Sequence, residues 1–156
     1  MDIRKCNKKD VKSVKEIPVM AFGPNKKIHK KILGNTIFKV FYPDWQKKKK
    51  ETIEYIYKSK DCTFYVAEKN NKILGFASFW LNKDKPLIAK ITTNAINPRY
   101  QQQGIGNALY KKLISELKTL GVKYINVSTN NKIAKKAYEK IGFKRKIETT
   151  NYFMKI

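Results

Sequence analysis

The sequence predicts a mixed α/β fold in which a central β-sheet has helices on both faces. Segments 62–67 and 73–81 are rich in β-branched and aromatic residues and are joined by a polar stretch, which is typical of an antiparallel hairpin. A strand–helix–strand pattern follows over 87–127, and such a unit makes its two strands parallel. We therefore expect a sheet that is antiparallel first and parallel at its centre, with about six to seven strands and about four helices.

The N-terminal region predicts an edge strand and an interrupted helical region. Residues 2–6 can form a short edge strand, and a polar cap precedes a helix whose apolar residues recur at helical spacing. Two prolines and a glycine interrupt this pattern, so residues 17–25 are expected to be a loop or a broken helix. A weak helix is expected over 26–33, closed by Gly34.

An aromatic-rich segment and one further helix come before the hairpin. Residues 36–45 carry Phe, Tyr and Trp side chains and end around Pro43-Asp44-Trp45. The helix that follows carries Ile53, Tyr55, Ile56 and Tyr57 and is expected to end near residues 60–61.

The second half of the chain predicts the strand–helix–strand unit, a short helix and a closing hairpin. The strand over 87–96 leads into a helix whose apolar residues recur at threes and fours up to Gly121. A strand over 122–127 follows, and a second, shorter helix is stopped by Gly142. The closing hairpin is expected from two segments, 143–147 and 152–156.

Composition predicts a single domain, spanning residues 1–156, with a large excess of positive charge. Hydrophobic residues make up 42% of the chain, enough for a core, and the formal net charge is +23. Nearly all of that charge is lysine, whereas dedicated nucleic-acid readers rely more on arginine. We expect no specific nucleic-acid partner, and interpret the charge either as a solvated lysine coat or as a surface for anionic ligands.

Cysteine content and hydropathy predict a cytoplasmic protein. Cys6 and Cys62 are too few for a disulfide framework and lack metal-site spacing. The charged segment 1–9 does not resemble a signal peptide, and no apolar run approaches the ~20 residues that span a bilayer. We therefore expect a monomer or homodimer that binds neither metal nor membrane.

A pair of glycines lies at the junction between the strand 87–96 and the next helix. Gly104 and Gly106 would let another molecule approach the backbone, and the N–H groups of the helix's first turn have no partner inside the helix. A phosphate is the natural ligand of such a turn. The loop is not a nucleoside-triphosphate P-loop, because no Gly-Lys-Ser/Thr follows. It is not a dinucleotide fingerprint either, because the third glycine and the later acidic residue are missing.

Two linked motifs resemble those of the GNAT superfamily of acyl-CoA-dependent N-acetyltransferases. The first is Pro98, Gln101-x-x-Gly104-x-Gly106 and Leu109, which is similar to the family's Q/R-x-x-G-x-G/A pyrophosphate loop. The second is Ile125-x-Val127 followed by Asn131-x-x-Ala134-x-x-x-Tyr138-Glu139-Lys140-x-Gly142-Phe143. Together they cover residues 87–143. The resemblance implies a GNAT-like acyl-CoA N-acyltransferase fold and acetyl transfer from acetyl-CoA to a primary amine.

The resemblance also implies roles for three groups of residues. The loop would hold the pyrophosphate of acetyl-CoA through the residues Gln101, Gln102, Gln103, Gly104, Ile105 and Gly106. The pantetheine arm would lie between the fourth and fifth strands and pair with the backbone of Asn94, Ala95 and Ile96. One of those N–H groups would polarise the thioester carbonyl. Asn131 would contact the pantetheine, and Tyr138 would act catalytically by giving a proton to the departing thiolate.

Asn131, Tyr138 and the glycine–aromatic pair after them also have plainer interpretations. A tyrosine on the apolar stripe of a short helix is often a core residue, and Asn131 stands where a helix cap is expected. Gly142 and Phe143 are expected to be a helix stop and a core anchor.

The chain departs from the family's pattern in two places. Gln101 replaces the commoner arginine, so Arg99 or the many lysines would have to supply positive charge. The strand 87–96 contains no Asp, Glu or His, although an alkylamine must lose a proton before it attacks. The candidates for the base are Glu68, Glu54, Asp44, His29 or a chain of water molecules, and the sequence does not choose among them.

The acceptor pocket is expected between the first two helices and the hairpin. Residues 38–45 and Phe79-Trp80 would be its walls, unless these aromatic side chains simply fill the core. Three functions fit the sequence: an N-acetyltransferase of a small molecule or peptide, a CoA-binding module without catalysis, and an acetyltransferase of a ribosomal or nucleic-acid-bound protein.

Overall fold

The computed structural model describes residues 1–82, 84–129, 131–144 and 147. Its strands are β1 (Asp2–Lys5), β2 (Cys62–Lys69), β3 (Lys72–Leu81), β4 (Ile88–Ile96) and β5 (Tyr124–Asn126). Its helices are α1 (Val11–Phe41), α2 (Trp45–Lys58), α3 (Ile105–Thr119) and α4 (Lys132–Lys140), with a 3-10 turn at Pro98–Tyr100.

These strands form one mixed sheet in the order β1-β2-β3-β4-β5, as the sequence predicts. Neighbouring strands from β1 to β4 are antiparallel, and β5 pairs parallel with β4 after the crossover through α3. The predicted strand number is too high for the described residues, which form five strands. Of the predicted closing hairpin, 152–156 lies outside the described residues, and the described part of 143–147 is not in a strand.

The sheet separates two apolar clusters. On one face, buried residues of α3 and Tyr138 of α4 pack against β2, β3 and β4. On the other face, Val14 and Ile17 of α1 and Ile53 and Ile56 of α2 pack against the same three strands. The helices face the sheet through the apolar stripes that their 3.6-residue period predicts, and each buried aliphatic side chain contributes about 1.5–3 kcal/mol.

The predicted break over residues 17–25 is wrong, because helix α1 is continuous there. The helix continues through Pro18 and Pro24, and its backbone leaves helical geometry only at Gly34, where φ is 75° and ψ is 165°. Pro18 is fully buried beside Val14 and Ile17, on the face that packs against the sheet. Burial of this face outweighs the cost of about 3 kcal/mol that an interior proline imposes on a helix.

A polar network joins β1, β2 and the start of α1. Arg4 donates to Asp10 at 2.7 and 2.9 Å and to Glu68 at 2.7 Å. Asp10 is 7% exposed, and its carboxylate also accepts the Asn7 N–H at 2.8 Å. The hydrogen bond from Arg4 is the main reason that the pKa of Asp10 lies below its usual value. The network therefore fixes the first helix to the sheet edge.

Replacing Asp10 with asparagine is expected to lower the free energy of unfolding by about 2–3 kcal/mol at pH 7, because Arg4 loses its buried counter-charge. A carboxyl whose folded-state pKa is lowered stabilises the fold fully above its unfolded pKa of ~3.9, and this stabilisation is lost as pH falls from that value through the lower folded-state pKa. The difference between the two proteins should therefore shrink below about pH 4 in urea unfolding. Asp84→Asn, at an exposed turn, is the control; an equal loss there would contradict the assignment.

In the part of the chain that the structure describes, no helix is long and apolar enough to cross a membrane. The same residues contain no group of three or more His, Cys, Asp or Glu side chains that could hold a metal ion. Cys6 and Cys62 are both free thiols.

Candidate active site

Strands β4 and β5 separate towards the C-terminal end of β4. Their pairing is limited to Ile88 with Tyr124, Ala89 with Ile125, and Lys90 with Asn126. On its other edge β4 stays paired with β3 as far as Ile96. Within the described residues, segment 91–96 therefore has no strand partner on the β5 side, and the opening expected between the fourth and fifth strands is present.

The alternation of β4 determines which backbone groups face this opening. The Asn97 N–H donates to the Leu74 carbonyl of β3 at 2.8 Å, so Ala95, two residues earlier, also turns its backbone groups towards β3. Asn94 and Ile96 consequently turn theirs towards the opening. The Ile96 carbonyl accepts the side-chain amide of Gln101 there, at 3.2 Å. Two of the three predicted pairing residues thus present backbone groups to the opening, whereas Ala95 pairs with β3.

The loop before α3 is exposed and leads directly into the helix. Gly104 is the N-cap with φ of 77°, and it has no side chain to satisfy the N–H groups of the first turn. Gln102 is also left-handed, with φ of 63°. A Cβ placed on Gly104 would meet nothing within 4 Å, and one on Gly106 would meet only Tyr110 Cε2, at 4.0 Å. The space above these glycines is open to an anionic group, as the phosphate interpretation requires.

Two side chains of the predicted site anchor the loop: Gln101 binds to β4, and Ile105 packs into the core. Gln101 uses its amide on Ile96, so the position usually held by arginine ties the loop to the open edge of β4. Gln103 is exposed and Ile105 is buried, which fixes the start of α3 against the core. The backbone N–H groups of the loop therefore stay open to an anion, beside the exposed side chains of Gln102 and Gln103.

Tyr138 lies on the sheet-facing side of α4 and contacts β4. It is 5% exposed, and its hydroxyl oxygen accepts a hydrogen bond from Asn94 Nδ2 at 2.7 Å. Its ring packs against Tyr110 and Phe143, with centroids 5.4 and 5.6 Å away. Burial, followed by the charge and a hydrogen bond of Tyr138, raises the pKa of Tyr110. The predicted tyrosine thus belongs to the core and also reaches the end of β4 that borders the opening.

Asn131 is the N-cap of α4. Its side-chain oxygen accepts the N–H groups of Ile133 at 2.8 Å and of Ala134 at 3.1 Å. This matches the plainer of the two interpretations, and it sets the start of the helix that carries Tyr138. Gly142, with φ of 102°, ends the same helix.

The candidate bases are occupied or exposed. Glu68 is paired with Arg4, and Glu54 with Lys15, which lowers the pKa of the Glu54 carboxyl. Asp44 is an exposed residue with φ of 47°, and His29 packs beside Tyr42 at 5.7 Å between ring centroids. A carboxylate already paired with a cation is a weaker base, so no side chain stands out for this role.

The aromatic segment contributes to a surface cavity between α1 and α2. The cavity has a volume of about 250 Å³, and its walls include Tyr42, Trp45, Lys26, Lys48 and Lys49. Lys26 Nζ lies 3.4 Å from the centre of the Tyr42 ring. Burial, and then the charge of Lys49, lower the pKa of Lys26. The second predicted wall of the acceptor pocket, Phe79-Trp80, does not line this cavity.

Phe79 is 1% exposed and belongs to the core beneath α3, so it does not line an acceptor pocket. Phe38 is nearly buried as well, at 9%. For both side chains the core interpretation of the aromatic residues is the one that the structure supports.

Comparison with known proteins agrees with this architecture. The model of the Acetyltransferase (GNAT) family matches residues 33–143. The [ribosomal protein bS18]-alanine N-acetyltransferases of Haemophilus influenzae and Escherichia coli K12 are 39% and 34% identical over 89 and 87 residues. These matches cover 56% and 54% of this chain, and only 58% and 57% of the relatives' own length.

A solved structure extends the likeness over the whole fold. The aminoglycoside N-acetyltransferase AAC(6')-Iy, in complex with CoA, superimposes with a TM-score of 0.67, at 15% identity, covering 99% of this chain and 100% of that one. At this identity the likeness concerns the fold alone. With the family model matching most of the chain, these findings show that the chain belongs to the GNAT acetyltransferase family.

Proposed function

We propose that this protein transfers an acetyl group from acetyl-CoA to a primary amine by direct attack. The observation that carries the proposal is the contact between Tyr138 and Asn94 at the open edge of β4. It places a phenol, which can give a proton to a leaving thiolate, beside the backbone groups that can bind the acyl donor. Membership of a family of acetyltransferases supports the same chemistry.

Three parts of the chain would act on acetyl-CoA. The outward N–H groups at the start of α3 would hold its pyrophosphate, since the glycines leave their approach open. Backbone groups of Asn94 and Ile96 would bind the pantetheine arm and polarise the thioester carbonyl. Acetyl-CoA supplies the acetyl group and the leaving thiolate, and Tyr138 would donate a proton to that thiolate.

The amine must lose its own proton before it attacks, and we assign this step to no side chain. The two glutamates among the candidate bases, Glu54 and Glu68, are both ion-paired. Of the candidates that the sequence allows, Asp44, His29 and a water chain at the opening remain.

We further propose that the acceptor is the α-amino group of a polypeptide rather than a polycationic amine. The curated relatives acetylate an alanine of ribosomal protein bS18, and one from Mycobacterium tuberculosis is an N-alpha-acetyltransferase. The formal charge of +23 and the lysines around the α1–α2 cavity also repel aminoglycosides and polyamines. A series of contacts connects this cavity to β4. Lys49 Nζ lies over the Phe22 ring, and Phe22 packs against the apolar cluster that includes Ala95 of β4.

A CoA-release assay tests the acceptor. We expect a short acidic peptide with a free N-terminal alanine to react with at least a tenfold higher kcat/KM than an aminoglycoside or a polyamine at low salt. The difference should narrow with added salt, because screening weakens the repulsion of polycations. The same peptide with an acetylated N-terminus is the matched control and should release no CoA.

Two other results would change the proposal. Preference for the polycations would overturn the assignment of the acceptor while leaving acetyl transfer intact. Tight binding of acetyl-CoA without turnover on any amine would instead favour the CoA-binding module. A salt-sensitive affinity for RNA that discriminates among sequences would support a nucleic-acid-bound acceptor.

A further inference from the structure

The side chain of Asn94 makes one hydrogen bond that its backbone role does not explain. Its Nδ2 donates to the Tyr138 hydroxyl oxygen at 2.7 Å. An amide N–H can only donate, so the phenol oxygen is the acceptor and its own proton points elsewhere. We infer that Asn94 is a positioning residue, which aims the Tyr138 proton at the opening between β4 and β5. The inference rests on the proposed role of Tyr138 as the proton donor.

A one-residue bulge in β4 is what brings Asn94 to Tyr138. Ser78 pairs with Thr93 and Phe79 pairs with Ile91, so Thr92 is an extra residue on β4. Before the bulge, Ala89 and Ile91 face the cluster beneath α3, and after it Ala95 faces the cluster beneath α1 and α2.

Without the extra residue, the two-residue period would direct Ala95 to the α3 face and Asn94 to the α1 face. The bulge reverses this order and leaves Asn94 on the side of α4. The contact with Tyr138 therefore depends on a local irregularity of the strand.

Ser78 holds this bulge in place. The side chain is fully buried, and its Oγ lies 2.7 Å from Thr92 Oγ1. The same hydroxyl donates to the Thr93 carbonyl at 3.1 Å. A buried serine bonded to both residues of the bulge fixes the backbone immediately before Asn94.

Packing immobilises the other partner. The Tyr138 ring lies between Tyr110 and Phe143, whose centroids are 5.4 and 5.6 Å away. The Tyr138 hydroxyl also shares a hydrogen bond with Tyr110; this bond raises the pKa of Tyr110, so Tyr110 is the donor and Tyr138 the acceptor. With the ring held and its oxygen accepting from Asn94 and Tyr110, the Tyr138 hydroxyl keeps only its own proton to direct, and neither neighbour accepts it. An acid held in this way needs no reorganisation when the thiolate departs.

The two variants Asn94→Ala and Asn94→Asp test the direction of this hydrogen bond. Alanine removes the donor and should lower kcat about tenfold, as for one hydrogen bond to a group that develops charge. Aspartate has nearly the same shape but only accepts, so the Tyr138 hydroxyl should donate to it, which turns the proton away from the opening and lowers kcat about 100-fold. The KM for acetyl-CoA should stay within about threefold in both, because the backbone contacts remain.

A spectroscopic readout separates positioning from mere stability. With ¹³Cζ-labelled tyrosine and no acetyl-CoA present, the Tyr138 resonance is assigned from the spectrum of Tyr138→Phe. It should move downfield in both variants and further in the aspartate variant, because alanine only removes an accepted hydrogen bond whereas aspartate also makes the phenol a donor. Equal shifts, or a kcat for Asn94→Asp at or above that of Asn94→Ala, would overturn the inference.

Double variants distinguish this inference from the proposed function. Asn94→Ala should have no further effect in the Tyr138→Phe background, because its target is gone. Additive losses would overturn the positioning role while Tyr138 remains the acid. An undiminished kcat in Tyr138→Phe alone would remove the proposed acid, and the inference with it.

Discussion

Replacing Tyr138 with phenylalanine is expected to lower kcat for acetyl transfer by about 10²- to 10⁴-fold, the range that a general acid contributes. Its hydroxyl is at the open edge of β4, where it accepts the hydrogen bond from the Asn94 side chain. The ring should keep its packing against Tyr110 and Phe143, so the KM for acetyl-CoA should change little. Steady-state CoA release measures both constants.

Tyr65→Phe is the matched control for this variant. Tyr65 is as deeply buried as Tyr138 and belongs to the same apolar cluster. Burial, and then a hydrogen bond with Glu116 and the charge of its carboxylate, raise the pKa of Tyr65 to about 12. Loss of either hydroxyl costs about 1–2 kcal/mol of stability, so thermal unfolding should look alike in the two variants. Only Tyr138→Phe should lose kcat, and retention of half or more of the wild-type kcat would contradict its role.

The elements with a long and regular pattern are the ones that the sequence predicts well. The stripe of α3 recurs at threes and fours, and most of it is buried as expected. Ile105, Leu109, Leu113 and Leu117 are buried, Ala108 and Ile114 are half-buried, and Leu120 at its end is exposed. The hairpin of β2 and β3 and the parallel crossover to β5 follow from local composition and the handedness of such units. In each case one periodic face has one available partner, the sheet.

Helix α1 shows where local rules fail. Proline and glycine predict a break near residue 18, because each lowers helix propensity by about 1–3 kcal/mol. The helix nevertheless continues, since Pro18 is buried with Val14 and Ile17 against the sheet. Only Gly34, where the backbone adopts φ of 75°, departs from helical geometry. Tertiary burial cannot be read from a window of a few residues.

The candidate site also contains residues that the sequence predicts and residues that it does not. Gly104, Gly106 and Tyr138 follow from motifs with fixed spacing. The structure brings Tyr138 to β4, the strand that leads into the glycine loop. The side-chain role of Asn94, and the contributions of Tyr110 and Ser78, could not be predicted. Strict alternation puts Asn94 on the wrong face, and only the bulge at Thr92 corrects it. The one available signal was the presence of an asparagine in a strand, where this residue is depleted.

A substitution at Gly104 is expected to separate ligand binding from folding. Gly104→Ala should raise the Kd for CoA about 100-fold, because a methyl group would occupy the open space above the first-turn N–H groups of α3. The loss corresponds to two hydrogen bonds to charged phosphate oxygens, each worth about 1.5 kcal/mol. Calorimetric titration of CoA into each variant measures it.

The chain supplies a control with the same backbone at the other end of α3. Gly121 has φ of 78° against 77° at Gly104, and a Cβ at either position meets nothing within 4 Å. Both alanine variants should therefore lose about the same 1 kcal/mol to left-handed strain, and their melting temperatures should fall together. Only Gly104→Ala places its methyl group where the helix N-terminus attracts an anion. If Gly121→Ala weakened CoA binding equally, the defect would lie in the fold of α3, and the loop would lose its proposed role as the pyrophosphate site.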